Sequence, residues 1–318
     1  MTPFLDYIVT SIALGITFLY GCTGEIITEK AGHLNLGIPG IMCVGGACGC
    51  AALTLFYEAQ GIYVVLIAII ASFIGGAAMG ALYCFLTVTL KSNQNVTGLA
   101  MTIFGAGLMK FVMSKLATTS YEYLYALKYF RVPFYGMKGV GGLIYCGIML
   151  YVAIAIALVA SFVLNKTRVG LHLRAVGENP ATADAVGINV TRYKYVATLI
   201  GSGIAALGGL YYIMDFSGSP EAYKTIESLG WLAVALVIFT LWRPNLSIIG
   251  SIVFGFLYLA GTRIPTLLGI NLSMSATPLL KMLPYAVTVV VLIITSVKKK
   301  RENQPPASLG LSYFREER

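Results

Sequence analysis

The feature that most constrains this chain is the recurrence of long apolar runs. About nine segments, near 7–24, 38–56, 61–90, 96–115, 142–164, 194–214, 229–243, 245–264 and 279–297, qualify as candidate membrane spans. A span needs about 20 mostly apolar residues. In lipid the backbone must bond to itself, so continuous runs of this length read as helices. Barrel strands would alternate with period two, and these do not. The expected fold is an all-α polytopic membrane protein, a bundle of about 8–10 transmembrane helices with a broken helix near 30–40. Charged residues make up only 11% of the chain, against roughly a quarter in a soluble domain.

Charge then orients the bundle. The formal net charge is +9, and two segments hold most of it. Asn165–Lys194 has five basic and two acidic residues, and Lys298–Arg318 has six basic and three acidic. Both abut apolar runs, which is the positive-inside pattern, so both are expected on the cytoplasmic side. Nucleic acid is not an expected partner, because no basic surface extends beyond these loops. Four spans separate the two segments, and an even number keeps them on one side. The loop Asp215–Ser228, with three acids and one Lys, is then outside. Ala117–Gly141 should be outside too, although it is net basic. The domain expectation is one transmembrane unit over 1–297, with a polar loop at 165–193. A basic tail at 298–318 carries Pro305-Pro306 and is expected to be disordered. The first apolar run is expected to be retained as a span, since no basic residue precedes it.

Catalytic chemistry has little to stand on. All six cysteines sit in apolar runs, where they read as small packing residues, and no metal site or cofactor is expected. Two histidines and the absence of HExxH leave little acid–base equipment for a membrane enzyme. The spans look nearly devoid of Asp and Glu, which argues against an ion-coupled secondary transporter. No GxxxxGK[ST] phosphate loop is present. Gly45-x-x-x-Gly49 and Gly76-x-x-x-Gly80 mark close helix packing and say nothing of function.

Two segments break the apolar pattern. In EKAGHLNLGIPG, Glu29 to Gly40, Gly32, Gly37 and Gly40 tolerate unusual dihedrals, and Pro39 suits the first turn of a new helix. Two readings are open. One is a helix break lining a substrate route, with Glu29 and Asn35 as its polar groups. The other is an ordinary loop at the membrane surface. His33 reads as a loop or interface histidine rather than a ligand. The second segment runs from Thr167 to Val190. Leu171–Val176 is helix-capable and Gly177 can end it. Asn179 can cap a second short helix with Pro180 at its first position, and Gly187 can stop that helix. Such an element can lie along the membrane, dock into a soluble partner's groove, or serve as a linker.

These two segments, together with NQNVTGLAMTIFG (Asn93 to Gly105) and LGWLAVALVIFTLWRP ending at Trp242-Arg243-Pro244, resemble the permease subunits of ABC-type nucleoside importers. The wider group includes ribose and branched-chain amino acid permeases. The resemblance covers about Thr23 to Val297. TRVGLHLRAVGENPATADAVGIN is its most specific stretch.

It implies a multi-pass subunit of the bacterial inner (cytoplasmic) membrane, forming half of a pore. The implied partners are a second, longer permease chain, an ATP-binding cassette subunit that does the hydrolysis, and a substrate-binding lipoprotein. The implied coupling helices fall on Arg168, Gly170, Arg174, Gly177, Asn179, Pro180 and Gly187. Candidate substrate-pathway residues are Glu29, Asn35, Gly37, Pro39, Asn93, Gln94, Thr97 and Phe104. One departure stands out: the family usually reads LNLG-x-EG, and Pro39 occupies the Glu position here. The same machinery could carry another small solute, such as riboflavin or a sugar.

Overall fold

A computed structural model describes residues 3–131, 147–268, 279–280, 282–298 and 304–314. The described residues form helices and turns. Eight helical segments are long and apolar enough to cross a membrane. They are built from α1 (Pro3–Lys30), α2 (Ile38–Leu55), α3 (Ile62–Cys84), α4 (Gln94–Thr118), α6 (Ile148–Lys166), α9 (Val190–Tyr211), α10 (Ile226–Phe239) and α11 (Pro244–Leu268). A shorter apolar helix, α12 (Leu283–Lys298), follows. Between α4 and α6 lies α5 (Leu127–Arg131). Between α6 and α9 lie two short helices, α7 (Arg168–Glu178) and α8 (Pro180–Ala185).

The core is organised around α9, which packs on α1, α2 and α3. Small residues make this possible. A Cβ at Gly45 would overlap the Ala206 backbone, and one at Gly80 would lie 2.8 Å from the Ser202 Cβ. Both glycine pairs therefore pack on α9, one from α2 and one from α3, where backbones approach closely enough for dispersion and helix-to-helix hydrogen bonding to hold them. Polar side chains add bonds across the seams. Ser72 donates to the Ala206 carbonyl at 3.2 Å, Tyr211 to Ala13 at 2.9 Å and Tyr20 to Met149 at 2.7 Å. Lipid-side helices differ: α3 and α6 expose Leu66, Ile70, Ile74, Leu158 and Phe162.

Lys30, Lys91, Lys166, Arg192 and the tail gather at one end of the bundle, which the positive-inside pattern makes cytoplasmic. Asp6 pairs with Arg263 at the other end, 3.0 Å apart. The segment α5 and the short turn Glu122–Ala126 belong to that outer end and bury Tyr123 and Phe130. The rest of the loop to Gly141 lies outside the described residues.

Two expectations change. The spans are not nearly free of acids: α1 continues to Lys30, so Glu25 and Glu29 are buried within it. Asp215, expected in an outer loop, is buried in the wide helical turn Tyr212–Ser217 that extends α9. Nor is the tail free. Residues 304–314 lie across the cytoplasmic end of the bundle, with Pro306 and Ser308 buried. Five cysteines are free thiols, four of them buried, and Cys146 lies outside the described residues.

Candidate functional site

Seven residues, 31–37, join α1 to α2, and they are sealed inside protein. Helix α1 is 28 residues long, about 42 Å at 1.5 Å per residue. That length carries Glu29 and Lys30 beneath the cytoplasmic layer. Leu36 lies beside α4, where its carbonyl accepts from Thr102 at 2.9 Å. Backbone groups freed by the break are met by buried side chains. Glu25 accepts the Asn35 N–H at 3.0 Å, Asn35 accepts the Gly37 N–H at 2.9 Å, and Gln94 accepts the Leu34 N–H at 2.9 Å. Tyr83 donates to the Leu34 carbonyl. His33 is buried between two helices, its ring nitrogens each 2.8 Å from Thr87 and Thr198 hydroxyls. This is the interface histidine expected from the sequence. Neither open reading of the break describes it fully: it is an internal turn whose freed backbone groups at Leu34, Asn35 and Gly37 are met within the protein, while Asn35 Nδ2 and Glu25 Oε2 are buried with no hydrogen bond among the described residues.

Glu29, Asn35, Gly37 and Pro39 are all buried here. Glu29 accepts from the Trp242 indole N–H. Leu241 and Trp242 both have positive φ, 54° and 55°, which branched or bulky residues seldom adopt. That turn delivers the indole to the carboxyl group. Pro39 occupies the first turn of α2, as expected, and Gly230 of α10 packs against it. At Gly40 an added Cβ would overlap the Met101 carbonyl.

The other pathway candidates separate. Asn93 is exposed and caps α4, accepting N–H groups of Asn95 at 3.0 Å and Val96 at 3.1 Å. Gln94 is buried and holds the break. Thr97 donates to the Asn93 carbonyl at 2.8 Å. Only Phe104 is exposed on the outer face of its span, at 53%.

That face carries a residue the sequence reading passed over. Lys110 is exposed in the middle of α4, close to Phe104, Gly107, Phe111 and Ser114 along one stripe. It lies within electrostatic reach of Cys43 on α2, as does Glu227 of α10. An ionisable residue within a span ordinarily faces a bundle interior or water. The signal was a cation inside the run 96–115, distinct from Lys115 at its end.

The second break folds into α7 and α8. Thr167 caps α7, accepting the Gly170 N–H at 3.1 Å. Asn179 caps α8, accepting the Thr182 N–H at 3.0 Å, with Pro180 at the first position. Gly187 follows α8 with φ 87°, a left-handed conformation that suits glycine. Gly177 does not end α7, which runs on to Glu178. Its need is closeness: a Cβ there would overlap the Lys30 carbonyl. Gly170 sits as closely on Val163 and Leu164 of α6.

One side of this hairpin is therefore fixed to the spans. The other exposes Arg168, Val169 at 57%, Leu171 at 57% and Val186 at 72%. Arg174 turns inward and, with Lys30, Glu178 and Arg243, lines a cavity of about 560 Å³. The tail completes the layer. Ser308 donates its N–H (3.0 Å) and hydroxyl (2.6 Å) to the Gly177 carbonyl, and Tyr313 donates to Asp184 at 2.9 Å.

A larger crevice of about 1100 Å³ opens between α6 and α9, lined by Val152, Ile156, Val163, Val196, Ile200 and Ile204. Among the described residues no group of three or more His, Cys, Asp or Glu could hold a metal ion.

These features define a multi-pass membrane protein with a rigidly seated, outward-facing cytoplasmic hairpin. The chain belongs to the family described as branched-chain amino acid transport system / permease component, whose pattern matches residues 5–292. It is a transport subunit of the ABC permease class, in the inner, cytoplasmic membrane.

It is 29% identical to the nucleoside ABC transporter permease protein NupC of Lactococcus lactis subsp. cremoris, over 91% of this chain and 92% of that one. It is 32% identical to the putative glucose ABC transporter permease protein TsgC13 of Haloferax volcanii, over 74% of this chain and 70% of that one. With the guanosine ABC transporter permease protein NupQ of Bacillus subtilis it shares 28%, over 78% and 81%.

Proposed function

We propose that the chain forms half of the translocation pore of an ABC importer for nucleosides, and that a separate ATPase moves it through α7 and α8. The observation that carries this reading is the two-sided hairpin. Its inner face is locked to α1 and α6 by glycine contacts at Gly177 and Gly170. Its other face leaves Leu171 exposed, and Val169 and Val186, also exposed, line the mouth of the crevice between α6 and α9. A lever needs both: a rigid attachment that transmits displacement and an apolar surface on which a partner gains by burial.

The pathway follows the exposed stripe of α4. Phe104 offers a ring on which a base can stack, and Lys110 a donor for a solute hydroxyl or carbonyl. The opposing wall would come from a second permease chain, and a substrate-binding lipoprotein would deliver the solute. Two relatives are named for nucleosides or guanosine, which favours that class. A sugar is the second reading, favoured by the glucose permease relative.

The test is uptake of labelled guanosine and uridine by the chain reconstituted with its ATPase and second permease, with glucose and ribose as competitors. ATP-dependent nucleoside uptake resistant to both sugars is expected. Competition by a sugar would transfer the assignment to sugars. Accumulation against a gradient by the chain alone would sink the ABC mechanism.

A further inference from the structure

A second cavity at the cytoplasmic end, about 590 Å³, lies where the α3–α4 turn, the start of α9 and the tail meet. The hairpin and pore described above leave it without a role. It is lined by Lys91, Arg192 and Lys194, with Asp184 as the one acidic side chain in its wall. Tyr313 of the tail already donates to that carboxylate. Lys91 lies over the Phe314 ring, 4.1 Å from its centre.

Lys194 is the unusual member. It is 3% exposed, and among the described residues no hydrogen bond or ion pair is formed by its ammonium group. The side chain is buried along its length while it lines the cavity, so an anion held there would offset the cost of its burial. The α9 N-terminus, whose backbone dipoles also favour an anion, opens at the same place.

We propose that this cavity binds a phosphate-bearing anion, the headgroup of an anionic phospholipid, with Lys194 and Arg192 as its principal contacts and the tail closing one side. Lipid is favoured over a free anion by what flanks the cavity. Phe85 and Leu90 beyond α3, and Val196 and Ile200 on α9, are exposed at 43–59%. They offer acyl chains an apolar surface leading away from the charges. Basic pockets between spans on the cytoplasmic side suit anionic headgroups for the same electrostatic reason.

The test uses the full chain in detergent, with melting temperature followed during titration. The additions are phosphatidylglycerol, phosphatidylcholine with the same acyl chains, or inorganic phosphate. Phosphatidylglycerol should stabilise and phosphatidylcholine should not. Arg192→Gln, at an exposed position, should weaken the response about fivefold, the size expected for one cation at a lipid surface. Lys194→Gln should weaken it further if it folds. Lys166→Gln, a cytoplasmic cation outside the cavity, should leave it unchanged.

Protection by phosphate without preference between the lipids would support the anion site and replace lipid by a soluble ligand. Equal effects of both lipids with no phosphate effect would overturn the proposal. So would an Arg192→Gln response matching wild type, or an equal loss in Lys166→Gln.

Discussion

The two breaks in the apolar pattern use the same residues to opposite ends. Residues 31–37 and 167–187 both carry Gly, Asn and His, and the second adds charged side chains. In the first, those groups turn inward. Asn35 and the carboxyl of Glu25 take backbone N–H groups that the break sets free. In the second, Thr167 and Asn179 cap short helices, and apolar side chains are left exposed. Polarity inside an apolar chain therefore does not distinguish a route for solute from a repair of the backbone. What distinguishes them is burial: the first is enclosed by helices, and the second leaves Val169, Leu171 and Val186 exposed.

Substitutions can break this contrast. The largest effect is expected from Gly40→Leu, which forces a side chain into the Met101 carbonyl. Overpacking of this kind costs about 3 kcal/mol or more where backbone cannot yield, so the variant should lose folded yield and melt at lower temperature. Wild-type melting would mean that the break is not sealed. Next is Asn35→Ala, which strips the Gly37 N–H of its acceptor. About 1–3 kcal/mol should be lost, while uptake per folded molecule stays unchanged. Lost uptake at normal stability would return Asn35 to the solute's path.

A smaller effect, about 1 kcal/mol, is expected from Asn179→Ala through loss of the α8 cap, read from thermal melting. The smallest effect on stability should come from Leu171→Asp with Val186→Asp, within about 0.5 kcal/mol because both sites are on the surface. Yet this pair should abolish co-purification of the ATPase. Retained binding with solute-stimulated hydrolysis would remove the hairpin from the coupling role.

The sequence made the helical bundle legible because membrane spans are specified by length and apolarity alone. The α8 ends were legible from Asn179, Pro180 and Gly187, since caps are local chemistry. Gly177 was misread because a helix stop and a close backbone contact demand the same residue. Asn93 shows the related ambiguity: a polar side chain at the start of a span can cap the helix instead of facing solute. Glu25 was hidden one turn inside a run whose end was placed too early. The tail misled by composition. Its residues cannot form a core by themselves, but they can satisfy one already made, as Ser308 does at Gly177.

That last contact fixes an order of events during synthesis. Ser308 follows Gly177 by 131 positions, so the hairpin emerges from the ribosome long before the strand that finishes its inner edge. Four further apolar helices, α9 to α12, must enter the bilayer in between. A motor that recognises the finished edge would engage only chains whose insertion is complete, and partly inserted ones would be passed over.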